Sequence, residues 1–193
     1  MKKYSIKILV YILRLHFMSK ISVLNYYICK KIMAAKFRKG VIGALLDEYQ
    51  NAVNDLKKNI SDINETDLKI ISDHKTSNKD CVSVQSVLTH VVLCGYNYMT
   101  MIDIHKGNSD SPWPKRVFFN TIKEYNSALD RMFDHTVKTF DKVAESEMYE
   151  PDPAKKILTG WGQLYDYEQL MEHAIVHISR HRRQIQKFIQ DRK

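Results

Sequence analysis

The stretch "DYEQLMEHAIVHISRHRRQIQKFI", Asp166 to Ile189, carries the reading of the fold. At about 100° per residue its apolar members Leu170, Met171, Ala174, Ile178, Ile185, Phe188 and Ile189 share one arc, which predicts an amphipathic helix. Asp166 with Gln169 three residues on makes a capping-box-like start. Within the helix, His173, His177 and His181 recur every four residues. Helical phase separates them. His181 falls inside the apolar arc and His177 on its edge, whereas His173 lies further round toward Glu172 and Arg180.

Working back along the chain, three more helical periods appear. "VIGALLDEYQNAVNDLKKNI" repeats apolar residues at Leu45, Tyr49, Ala52, Val53 and Leu56. Residues 59–80 are polar, break the period and read as a connection. A second helix starts near Ser83, a plausible N-cap, and runs through "VLTHVVLCGYNYMTMIDI" until "KGNSDSPWP" stops it with Gly, Asn and two prolines. The third shows Ile122, Tyr125, Leu129, Met132, Phe133, Val137, Phe140 and Val143 at three- and four-residue steps and ends before "EPDP". "TGWGQLYD" is a loop leading into the fourth. No segment alternates with period two for long enough to demand a sheet. The expected fold is all-α, a four-helix bundle with sites built from side chains that project inward from facing helices.

Charge is unevenly placed. The chain of 193 residues carries a net charge of +8, and seven of those charges fall in residues 1–32, which contain no Asp or Glu. Composition changes abruptly at "MAAKFRKG", beginning at Met33. The expected division is therefore a basic, loosely attached extension over 1–32 and a bundle domain over 33–193. The extension reads either as an upstream stretch preceding a native start at Met33 or as a basic interfacial helix. A near-neutral domain speaks against a nucleic-acid partner, and a membrane-surface role would depend on residues 1–32. Cys29, Cys81 and Cys94 form no C-x-x-C pair and no disulfide framework, so a reducing cytoplasm is the expected location.

A pair of histidines four apart on one helix offers two donors to one ion, and a stable site needs a third. His16 lies in the extension, His74 and His105 sit in or beside polar connections, and His135 follows Phe133-Asp134 in the third helix. His90 differs, because it is embedded in "SVQSVLTHVVLCGYNYM" with Val87, Cys94 and Met101 on its helical row. A buried imidazole must find a partner, which a hydrogen bond or a metal would equally supply. H-E-x-x-H is excluded, since Ala174 follows His173 and Ile178 follows His177. No G-x-S-x-G elbow, P-loop or G-x-G-x-x-G is present.

"SVLTHVVLCGYNYM", the Trp-Gly loop "TGWGQLYDYEQL" and "EHAIVHISRHRRQI" running into "QKFI" resemble the DinB-like family of metal-binding four-helix bundles, from about Met33 to the C-terminus. The most specific element is H-x-x-x-H-R-x-Q-I, matched by His177, His181, Arg182, Gln184 and Ile185. The resemblance implies that His90, His177 and His181 hold a divalent ion, with His173 outside the matched ligand pair; Irving–Williams preferences make the ion zinc or nickel, and Cys94, one turn from His90, is a lesser substitute ligand. The resemblance further implies a small-molecule substrate, pairing as a homodimer, and activity as a metal-dependent hydrolase or a thiol S-transferase that uses a low-molecular-weight thiol. The alternative is a non-enzymatic dimeric bundle with a structural or adventitious metal. Asp103 and Glu172 lie near the relevant helices, but no general base is assigned.

Overall fold

A computed structural model describes residues 37–191, so the extension over 1–32 lies outside the described residues. The described chain is mostly helical. Four long helices, α1 (Gly40–Asn59), α3 (Val84–His105), α4 (Ile122–Phe140) and α5 (Tyr167–Gln190), are joined by connections that hold the short α2 (Glu65–Lys69). Each long helix packs against two others in the closed order α1, α5, α3, α4. Their facing stripes bury Tyr49 and Leu56, Leu88 and Met99, Tyr125 and Met132, and Leu170 in one apolar core.

Each helix begins where local chemistry can satisfy its free amides. Ser83 and Ser86 form a reciprocal capping box on α3, Thr121 and Glu124 another on α4, and Asp166 with Gln169 the one expected for α5. Asp166 is almost fully buried, and its second oxygen takes Lys156 Nζ at 2.9 Å. The start of α1 has no such side chain of its own. Glu145, distant in sequence, accepts from Val41 N at 3.0 Å, and Gly40 at φ 77° lets the backbone pass where a side chain would strike that carboxylate.

The connections hold more structure than their polarity suggests. Within 59–80, Asn64 caps α2 and Leu68 is fully buried, a single apolar anchor too isolated to register as a period. The third helix ends at Phe140, before Val143, which a tight turn still carries into the core. Within "TGWGQLYD", residues 159–163 form the tip of a small hairpin in which β1 (Ile157–Leu158) pairs antiparallel with β2 (Leu164–Tyr165). Thr159 clamps that tip by donating to the Gln163 carbonyl at 2.9 Å. No helix among the described residues is long and apolar enough to cross a membrane.

Gly95 sets how closely α3 approaches its neighbours beneath the His90 row. A Cβ there would lie 2.2 Å from Met132 Sδ and 3.0 Å from Tyr49 Oη. Both side chains are fully buried and cannot swing away. Gly95→Val therefore overpacks the core and is expected to cost about 2 kcal/mol, which a lowered urea midpoint would register.

Candidate metal centre

His90 comes from the second turn of α3, and His177 and His181 from the middle of α5, where the two helices pack together. Their donor nitrogens converge. His177 Nε2 lies 3.0 Å from His90 Nε2 and 3.1 Å from His181 Nε2. Donor atoms of all three fall within 4.8 Å of one another, the spacing of a set that could hold a metal ion. Nitrogens bound tetrahedrally to zinc at about 2.0–2.1 Å sit roughly 3.3 Å apart.

The outward nitrogens explain why the inward ones are lone pairs. Gln184 Nε2 donates to the Cys81 carbonyl at 3.3 Å, so its Oε1 is the atom that receives His181 Nδ1, at 2.9 Å. That contact places the His181 proton on Nδ1. His90 Nδ1 lies 3.2 Å from Asp80 Oδ2. Asp80 in turn accepts from both terminal nitrogens of Arg116, at 2.5 and 3.0 Å, and that guanidinium holds its carboxyl below the usual range. An ionised Asp80 can only accept, so the His90 proton also sits on Nδ1. Both Nε2 lone pairs then point at His177 Nε2, whose single proton can satisfy one of them. The remaining acceptor has at most a weak S–H donor, Cys94 Sγ lying 3.6 Å from His90 Nε2, and a cation in the gap would satisfy it more fully. Carboxylate and amide partners of this kind orient metal-binding imidazoles and raise their basicity.

Burial makes the same demand. His177 and His181 are almost fully buried and His90 is half-buried. Desolvation pushes the imidazole pKa of all three down. For His177 the drop reaches about 2, with neighbouring His181, His90 and His173 adding like-charge repulsion to the burial. All three are therefore neutral at physiological pH, the protonation state that ligates metal.

Cys94, one turn from His90, does not complete the set. Its Sγ is 3.6 Å from His90 Nε2 and 3.7 Å from Nδ1, so it rests against the ring, and burial raises its thiol to about 11. His173 stays on the rim, half-buried, with its ring stacked on Trp161 at 4.7 Å and 18°. His105 is held by Tyr167 and the Lys155 carbonyl, and His135 lies against Tyr96; neither joins the cluster. Asp103 and Glu172 also stand outside it.

Sequence reading missed Asp80 and Arg116. Asp80 lies in a polar connection and Arg116 in the proline-containing loop after α3, where no period marks a side chain that turns inward. Gln184 was visible in the final motif, though its task was not. No family model matches the chain, and comparison with curated proteins finds no significant match.

Two measurements follow from this geometry. In metal-free protein the unfolded chain protonates His177 below about pH 6.5 while the folded protein refuses the proton, so stability falls as pH drops through that point toward the folded value of about 2. The slope is about 1.4 kcal/mol per pH unit for this residue, and urea titrations across a pH series should find it flattened in His177→Gln. Asp80→Asn removes the charge behind His90. It is expected to weaken zinc affinity by about 10–100-fold in a chelator competition while leaving the far-ultraviolet circular dichroism unchanged.

Proposed function

We propose that this chain is a divalent-metal-binding protein of the DinB-like type, a four-helix bundle whose metal, zinc or nickel, is held by His90, His177 and His181. The observation that carries the reading is the convergence of three Nε2 atoms, two of which, on His90 and His181, present lone pairs because Asp80 and Gln184 engage their opposite nitrogens. Three neutral imidazoles leave coordination positions open, as catalytic sites do and closed structural sites do not. A divalent ion bound there supplies Lewis acidity, lowering the pKa of a coordinated thiol or water.

The surrounding residues favour thiol S-transfer over hydrolysis. Water attack calls for a nearby general base. No carboxylate joins the donor cluster among the described residues, and Asp80 is engaged by Arg116 on the far side of His90. A low-molecular-weight thiol needs less help, since its unperturbed pKa near 8.5 lies far closer to neutrality than that of water. Cys94, kept protonated by burial, does not compete with it. The chain's own contribution is to hold His90 and His181 in one tautomer, keep the three imidazoles neutral and exclude bulk water. Free Cys81 and Cys94 fit the reducing cytoplasm in which such thiols are found. A homodimer belongs to the same proposal.

Metal analysis of protein purified without a histidine tag tests the centre. Wild type is expected to carry about one divalent ion per chain and His181→Ala almost none; equal contents in the two would end the reading. A screen of thiols against electrophilic acceptors should then reveal turnover that disappears in His90→Ala. Metal at full occupancy with no turnover for any thiol would leave a binding protein rather than an enzyme.

A further inference from the structure

Beside the three donors runs a strip of planar groups that the metal reading leaves unused. Trp161, at the hairpin tip, stacks on His173 at 4.7 Å and 18°, and His173 in turn lies 6.0 Å from His177 at 23°, so three nearly parallel rings lead from the surface to a metal donor. Tyr98 of α3 meets His173 edge-on at 5.6 Å, and Tyr165 closes the side at 5.7 Å. Trp161 is 43% exposed despite this packing, leaving a large part of its indole open to a ligand.

The strip continues to Arg180. Residues 173, 177 and 180 are spaced i, i+4 and i+7, one face of α5, so Arg180 stands one turn beyond His177 on the side that carries His173. It is exposed, and its positive field reaches Tyr98, His173, His177 and His181. Its own helix cannot neutralise it, because the neighbours three and four residues away are His177, Arg183, Val176 and Gln184. The nearby arginines differ: Arg116 is taken by Asp80 and Arg182 by Asp55. Among the described residues no carboxylate pairs with Arg180. A guanidinium left open beside three neutral imidazoles is a fork for an oxyanion.

Resting on the reading of the three histidines as a metal centre, we infer that the substrate is a small organic oxyanion, a carboxylate or phosphate, with a flat apolar head. The head lies against the Trp161–His173 stack, the oxyanion pairs with Arg180, and the intervening atoms pass over His177. Seven residues of helix separate His173 from Arg180 by roughly 10 Å, and the lean of an arginine side chain toward the helix N-terminus shortens that span to one that a ligand with a short spacer between head and oxyanion can bridge.

The chain has two tryptophans, so Trp113→Phe leaves Trp161 as the only indole and the reporter. Zinc-loaded protein of measured metal content is titrated at fixed pH and ionic strength with 4-phenylbutyrate, the length-matched 2-phenylethyl phosphate and the neutral 4-phenylbutyramide. Saturable changes in Trp161 emission are expected with one or both oxyanions, and the preferred one identifies the class of oxyanion. Affinity should fall about tenfold in Arg180→Gln and recover in part in Arg180→Lys, with zinc content unchanged in both. The inference is overturned if the amide binds as tightly as the acids, or if Arg180→Gln binds them as wild type does. Zinc at one per chain with no effect of Arg180→Gln sinks this inference alone. Arg180-dependent binding in protein that takes up no zinc would uphold the oxyanion seat and remove the metal centre.

Discussion

Three imidazoles stripped of water at the seam between α3 and α5 set the terms for the surrounding structure. Each is held neutral, because the seam offers little solvent to stabilise a charge, and two must present lone pairs inward, because their other nitrogens are spoken for by Asp80 and Gln184. Without a cation, one of these acceptors is left with at most the weak S–H donor of Cys94. A cluster of this kind is a standing cost to the fold, and its position at the edge of the core, where His90 remains half-buried, keeps that cost beside an open surface.

The supports around the cluster come from irregular chain. Asp80 belongs to a short turn just before α3, Arg116 to the loop after it, and the Cys81 carbonyl that fixes Gln184 to that same turn. These groups fold onto the ends of rigid helices, so the tautomers of His90 and His181 depend on segments far less regular than the helices that carry the rings. Removing Asp80 would loosen His90 without disturbing the helix packing below it. The close approach at Gly95 works the other way, binding the floor of the His90 row to Tyr49 and Met132.

The rim has a different character from the floor. Where the floor is neutral and poorly solvated, the rim joins an exposed indole, a half-buried histidine and an arginine that no carboxylate among the described residues pairs with. Such a gradient from open cation to buried neutral donors would draw an anion in and orient it along α5, which is how fixed charge and flat surfaces commonly divide the work of recognition.

Much of this was legible in the residues. Periodicity located all four long helices, the capping residues marked the starts of α3 and α5, and helical phase alone set His173 apart from His177 and His181. Those are local properties, fixed by 3.6 residues per turn and by which amides a helix leaves free. The meeting of His90 with the α5 pair is a property of packing: 87 residues separate His90 from His177, and only the order in which the helices close on one another brings their nitrogens to 3.0 Å. Asp80, Arg116 and the Trp161 stack were out of reach for the same reason. They sit in loops, where no period ties a residue's place in the chain to the direction of its side chain, and tertiary contacts alone decide which way it faces.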